Sequence, residues 1–302
     1  MAISVTPPRA VNVTPKTHDL LIDAAGGADA TVIQTGLDLY GDEFTAYIKQ
    51  GTYTAGFTEA SDKVRIYVEP GTVIQAAITL SGDDITLVLG SGCDVQGVIT
   101  LSGDNCKLLC MNGVDIDGIS ASGARYLVDG GGWDTLSNGG TTIHGITASG
   151  ADGIVRNIAC QTTAGGGQSF HGIQVTSARV SVIACKVVDS DTHGILASGT
   201  SSDTLIEGCT ILGADSIGIA IDGPRSRVVG NYVIATAGIG ISLLDDSDDS
   251  VVVGNIVKDA TGDSIDIHAD GENCVVVGNR VDGAVDDNSG TSTVADNDET
   301  AF

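Results

Sequence analysis

The sequence predicts an all-β stacked solenoid of about 21–27 residues per rung, and two interleaved repeat series predict it. The first series aligns on one residue inside an apolar run: SVIACKVV, LIEGCTIL, RVVGNYVI, VVVGNIVK and VVVGNRVD. Its anchors are Cys185, Cys209, Asn231, Asn255 and Asn279, spaced 24, 22, 24 and 24 residues apart, and VRNIACQT adds Cys160 one copy earlier. The second series lies between the anchors: HGIQV, HGILA, IGIAI, IGISL and IDIHA, starting at His171, His193, Ile217, Ile239 and Ile265. Composition agrees, with 42 glycines in 302 residues, 42% hydrophobic residues and only 4% aromatics. That mix suits many short Val/Ile strands joined by tight turns around a narrow interior.

The charge narrows the partners. With 39 acidic against 14 basic residues the net charge is −25, which excludes a nucleic-acid partner because phosphate neutralisation needs a basic surface. The same acidity favours solubility and cation binding, and argues against gripping an anionic polysaccharide unless calcium intervenes. Every apolar run is broken within a few residues by Gly, Asn or Asp, so no segment is expected to span a bilayer. MAISVTPPRAVNVTPKTHD has no basic region followed by an apolar stretch, so no Sec signal is expected. Seven cysteines, an odd number without a CxxC, do not form a disulfide framework and read as reduced, buried thiols.

Taken in order, residues 1–19 are polar with three prolines and read as an extended arm, an attachment segment for a partner. Val32, Ile33, Leu37 and Tyr40 recur at helical spacing and predict a short amphipathic capping helix near 31–40. FTAYIKQGTYT and KVRIYVEPGTVIQ each read as a strand followed by a turn containing Gly.

The passage IQTGLDLYGDEFTAYIKQGTYT resembles the opening of pectate-lyase-like right-handed parallel β-helix proteins. In that superfamily a capping helix reading IQ-a-A-l-d precedes a strand reading vyikpGtY. Ile33, Gln34, Leu37, Asp38, Tyr47, Ile48, Lys49, Gly51, Thr52 and Tyr53 carry the match. The resemblance implies a single-stranded right-handed parallel β-helix over residues 20–280, with an acidic cap or tail at 281–302. Lyases, hydrolases, epimerases, esterases and phage spikes share that fold, so it names no reaction. The Asp-Pro-His-Glu motif of mannuronan epimerases is absent here, and the Gln and Asp signatures of pectin esterases are not recognisable.

Further along, TLSGDDITLVLGSGCDVQGVI matches TLSGDNCKLLCMNGVDIDGIS at an offset of 21 residues. GGGWDTLSNGGTT, which holds the lone Trp133, is expected to bulge out as a loop, and AGGGQSF is a smaller insertion.

Equal positions on stacked rungs form ladders, about 4.8 Å apart. Asn231, Asn255 and Asn279 are therefore expected to bond one another at a turn, with Cys160, Cys185 and Cys209 as apolar fillers in the same slot. His144, His171 and His193 share a second slot with Ile217 and Ile239. Because Ile replaces His there, the slot is expected to point inward or sit at a corner, giving a stacked imidazole row rather than a metal site. Two residues earlier the row reads Thr142, Ser169, Asp191, Asp215, Ala237, Asp263. Asp191 and Asp215 on adjacent rungs form the best catalytic candidate, a carboxyl pair at the separation of a retaining glycosidase, with Asp189 and His193 in support. No arginine aligns beside that pair, so lyase chemistry fits less well than hydrolysis. LLDDSDDSV offers Asp245, Asp246, Asp248 and Asp249 as candidate oxygen donors for Ca²⁺, though a solvated acidic turn is the simpler reading. No other cofactor is expected.

Together these observations point to a structural or adhesive β-helix of a phage particle: tail spike, fibre or capsid decoration. It would be a homotrimer located in the virion, docked to other virion proteins through its arm, and able to bind surface carbohydrate. The alternative is a carbohydrate-active enzyme built on the Asp pair, for which an exposed aromatic platform would be expected.

Overall fold

The structure is a computed structural model and describes residues 18–23, 32–137, 145–161 and 171–300. Its strands stack in parallel into three long sheets, one strand per sheet in each rung. One rung illustrates the order: Arg227–Val229 in the first sheet, Tyr232–Ile234 in the second and Ile241–Leu243 in the third. The next copies, Val251–Val253, Ile256–Lys258 and Ile265–Ile267, pair directly on top of them. In the first sheet successive strands are offset by 20, 21, 21, 20, 27, 27, 24, 22, 24, 24 and 18 residues from Thr45 to Thr293. The two longest rungs hold the two Gly-rich insertions.

Strand alternation builds the core. Ile66, Leu87, Leu108, Val128, Val155 and Val182 form one inward column, and each is at most 1% exposed. Burying each such side chain contributes roughly 1.5–3 kcal/mol. Above this column the cap helix, Val32–Leu37, buries Ile33 and Leu37. Gln34 fixes its position: the side-chain amide donates to the Thr58 carbonyl at 3.0 Å and its oxygen accepts the Thr58 N–H at 2.7 Å. The carboxamide thereby replaces a missing strand partner. His18–Ile22 pairs with Phe44–Ile48 and starts the first sheet; the rest of the expected arm, residues 1–17, lies outside the described residues.

The SGD/SGA signature follows from close backbone approach. A Cβ on Gly103 would lie 1.9 Å from the Gly82 carbonyl oxygen, and one on Gly150 would lie 1.8 Å from that of Gly123. Trp133 does not sit in a looped-out insertion. Residues 131–137 continue the strand Leu127–Ser137, and a register shift between Asp129 and Asp134 absorbs the extra length. The remainder of that insertion, including His144, lies outside the described residues, as does residue range 162–170. Beyond residue 281 the stack goes on: Val285–Asp287 pairs with the third sheet and Thr293–Ala295 with the first. No helix among the described residues is long and apolar enough to cross a membrane.

Candidate functional site

Three corners connect the three sheets, and each carries a polar row. At the corner between the first and second sheets, Asn255 Oδ1 accepts the Asn231 N–H at 2.8 Å and the Asn231 side-chain amide at 2.9 Å. Asn279 Oδ1 does the same for Asn255, at 2.9 and 3.0 Å, and Asn297 extends the row by one rung. All three predicted asparagines are 1% exposed. The row starts where Asn231 accepts the Cys209 N–H at 2.8 Å. Above that, Cys160, Cys185 and Cys209 fill the slot as buried free thiols. Burial holds the Cys160 thiol well above its ordinary range, and contact with Cys185 together with burial does the same for Cys209.

The corner between the third and first sheets carries a row absent from the sequence analysis. Glu43, Lys63, Asp84, Asn105, Arg125, Asp152, Arg179, Asp203, Arg225, Asp249 and Asn273 succeed one another rung by rung, all left-handed with φ between 55° and 64°. Their charges alternate over most of its length. Arg179 donates to both oxygens of Asp152, at 2.5 and 3.0 Å, and Arg225 to both of Asp203, at 2.9 and 3.0 Å. The arginine bond is the largest influence in lowering the pKa of both acids.

The third corner and the outer face of the third sheet hold the predicted catalytic residues. Here the histidine slot takes the second of its two expected positions, the corner. A Cβ on Gly172, Gly194, Gly218 or Gly240 would lie 2.2–2.5 Å from the Cγ atoms of Val187, Ile211, Val233 and Val257. These glycines therefore occupy the inward position, and the preceding His171 and His193 turn to a half-buried corner instead of joining Ile173 and Ile195 in the core. Their rings stack with centroids 4.9 Å apart, and Thr192 Oγ1 lies 2.7 Å from His171 Nδ1. Burial lowers the pKa of His193, whose Nδ1 has no hydrogen-bond partner among the described residues.

Asp191 and Asp215 are brought together on adjacent rungs, as the backbone bonds Asp215 N–H to Ser190 and Ser216 N–H to Thr192 fix their register. Asp191 is half-buried and Asp215 exposed. Burial, then the charge of Asp215, raises the Asp191 pKa, and Asp191 Oδ2 is buried without a partner among the described residues. Asp189 stands in a different row, left-handed at φ 51° with Ala235 and Asp259 at 55° and 56°. Asp263 also leaves the expected row: the Gly240 N–H bonds its carbonyl just as the Gly218 N–H bonds that of Ile239, so it occupies the histidine slot. Thr261, bonded to Thr236, follows Ala237 in the row of Asp215.

The outward positions of the third sheet form the floor of a furrow in which Ala220, Ser242 and Asp266 are at most 9% exposed. Asp266 meets Asp263 and Asp286 there, with donor atoms within 4.8 Å of one another. It accepts from Asn288 Nδ2 at 3.0 Å, and burial raises its pKa. The four predicted calcium ligands do not converge. Asp245 faces His268 and Asp270; Asp246 lies beside Asp222, whose pKa burial and then the nearby Asp246 and Asp245 charges raise. Asp248 caps the Glu272 N–H at 2.8 Å, and Asp249 belongs to the charge row. Neighbouring residues of one turn point in different directions, so acidic density along the chain is not a cage.

With this geometry described, comparison with known proteins defines the class. Residues 135–298 match the family described as the right-handed beta helix region, and the chain belongs to that family. This fixes the hand of the solenoid, in keeping with right-handed parallel crossovers. No curated protein sequence gives a significant match. Among solved structures, the Dettilon tailspike protein matches with a TM-score of 0.63 at 14% identity, over 88% of this chain and 62% of the tailspike. The adhesin PfbA of Streptococcus pneumoniae matches with a TM-score of 0.62 at 12% identity, over 93% of this chain and 97% of the adhesin. The A-module of a mannuronan C-5 epimerase from Azotobacter vinelandii matches at 0.51 and 13% identity, over 94% and 99%. At such identities the likeness is one of fold.

Proposed function

We propose that this chain is a structural and adhesive β-helix of a phage particle, a tail spike, fibre or capsid decoration, that meets surface carbohydrate along its length. The observation that carries this reading is the corner row from Glu43 to Asn273, which repeats on every rung and marks one continuous shaft of stacked rungs. The likeness to a tailspike and to a surface adhesin supports it. On this reading the shaft is a homotrimer in the virion, residues 1–19 dock it to other particle proteins, and nucleic acid and membrane are not its partners. Light scattering at low and high salt tests it, with a stable trimer expected. A monomer that binds no bacterial surface polysaccharide would overturn it.

One observation favours a second reading, a polysaccharide hydrolase. Asp191 stands beside Asp215 on adjacent rungs, and burial, then the Asp215 charge, raises its pKa, the direction a general acid needs. Release of reducing ends from a polysaccharide panel, lost in Asp191→Asn and in Asp215→Asn, would establish it. Equal release by Asp191→Asn and the parent protein would exclude it.

A further inference from the structure

Although the chain is strongly acidic, one face of it carries two cations that no acid among the described residues neutralises. The outward positions of the first sheet at its N-terminal end form two adjacent rows. One reads Thr45, Arg65, Thr86, Lys107; the other reads Tyr47, Tyr67, Val88, Leu109. Arg65 and Lys107 have no ion-pair partner among the described residues, and two strand spacings place them roughly 9.6 Å apart. Lys63 and Arg125 stand on the rim of the same depression, where Asp84 is the one carboxylate in the lining. Lys63 and Arg125 are paired with Glu43 and Asp104, which leaves Arg65 and Lys107 as two uncommitted cations against the single carboxylate of Asp84 in the lining. Beside them Tyr47 and Tyr67 stack with ring centroids 5.3 Å apart and remain 40% and 37% exposed. Leu21, 50% exposed and paired with Tyr47, continues their row.

We infer that this face is a docking site for an acidic polysaccharide running along the solenoid axis. The inference rests on the reading of the chain as carbohydrate-binding and names the ligand class and its place. Each part of the face matches a part of such a polymer. A carboxylate or sulfate group takes the planar fork of Arg65 and the point charge of Lys107. The spacing between rungs is about the length of one sugar unit, so groups on alternate units meet cations on alternate rungs. The stacked tyrosine rings are partly exposed, and their phenol hydroxyls offer hydrogen bonds to sugar hydroxyls. A nucleic acid is disfavoured by the net charge of −25.

Affinity electrophoresis of the full chain through gels containing alginate, polygalacturonate, chondroitin sulfate or dextran tests the assignment. At least one acidic polymer is expected to retard the protein and dextran is not, with the retardation falling as salt rises. The double variant Arg65→Gln/Lys107→Gln should weaken binding about tenfold or more, and Tyr67→Ala should weaken it severalfold. Lys186→Gln/Arg227→Gln, the same change of charge elsewhere on the shaft, should leave it intact. The site is overturned if both double variants lose equally, if dextran retards as well, or if no acidic polymer binds. Preferential retention by single-stranded DNA, or a change of oligomeric state in Arg65→Gln/Lys107→Gln, also overturns it. Binding of a neutral surface glycan that this variant retains would remove the site and leave the adhesive function standing.

Discussion

The buried asparagine row makes a quantitative prediction, because its members differ in how many partners each one leaves behind. Asn255→Ala removes the acceptor of two buried donors, the Asn231 N–H at 2.8 Å and one Asn231 side-chain hydrogen at 2.9 Å. The second Asn231 hydrogen keeps the Ile206 carbonyl, and Asn279 Oδ1 keeps the Asn255 N–H. At roughly 1–3 kcal/mol for each buried donor left unsatisfied, the loss is about 2–6 kcal/mol, a large part of a typical domain's stability. Asn231→Ala orphans one buried backbone donor, the Cys209 N–H, and should cost about half as much. Urea denaturation followed by far-UV circular dichroism measures both, provided the slope against denaturant is unchanged. Hydrogen exchange at the Asn231 amide should accelerate in Asn255→Ala, and at the Cys209 amide in Asn231→Ala. Equal losses in the two variants, or a loss below about 1 kcal/mol in Asn255→Ala, would refute the donor count. Solvent would then be satisfying the row, and the amides would not be holding the rungs in register.

Three further outcomes follow from the same geometry. Gly103→Ala forces a Cβ to 1.9 Å from the Gly82 carbonyl oxygen and should cost about 3 kcal/mol or more, whereas Gly113→Ala, at φ 73° with its nearest contact at 3.8 Å, should cost about 1–2 kcal/mol. Similar melting temperatures for the two would show that the rungs move apart easily. Burial raises the folded pKa of Asp266, so its ionised form is disfavoured in the fold; the penalty is absent below the unfolded pKa of about 3.9, grows as pH rises towards the folded value, and is full above it. Asp266→Asn should therefore raise the melting temperature at pH 7 and have no effect near pH 3, and a decrease at pH 7 would mean that a cation holds the charge. Arg179→Ala breaks an exposed pair with Asp152, so its destabilisation should be small and should shrink with added salt; a large, salt-insensitive loss would show that the corner row acts as one unit.

The parts legible in the sequence are those in which one chemistry recurs at one slot. Asn231, Asn255 and Asn279 have the same partners on every rung, so their spacing alone reveals the period and the turn. The charge row escaped because its slots share a backbone conformation, not a residue type: Glu43, Lys63, Asn105 and Arg125 have φ of 64°, 58°, 58° and 58° and no common side-chain chemistry. For His171 and His193 the sequence leaves inward and corner positions open, because plain alternation ignores the glycine that takes the inward place after each. Asp266 went unnoticed since nothing in IDIHA distinguishes an outward Asp in solvent from one on the floor of a furrow. Arg65 and Lys107 come together only across an intervening rung, and net charge, being an average, hides them.

That average also bears on how the solenoid tolerates its own acidity. A parallel stack repeats each position about 4.8 Å further along the axis, so a conserved acidic slot would pile up like charges at a spacing where they repel strongly. The chain avoids this in two ways. In the corner row, cations alternate with acids, as in Asp152, Arg179, Asp203, Arg225 and Asp249. In the neighbouring row of Asp42, Asp62, Asp83 and Asp104, carboxylates do stack, but each of the four Oδ1 atoms accepts the backbone N–H of the next rung, at 2.8–2.9 Å. Lys63, Arg125, Arg156, Arg179 and Arg225 are thus committed to neutralising acids along the shaft. A cation that the stack does not use, on an outward strand position beside a second one and a pair of exposed tyrosines, has no structural task left. Arg65 and Lys107 are in that position, which is why their face, and not the more conspicuous acidic turns, is the part of this surface that calls for a ligand.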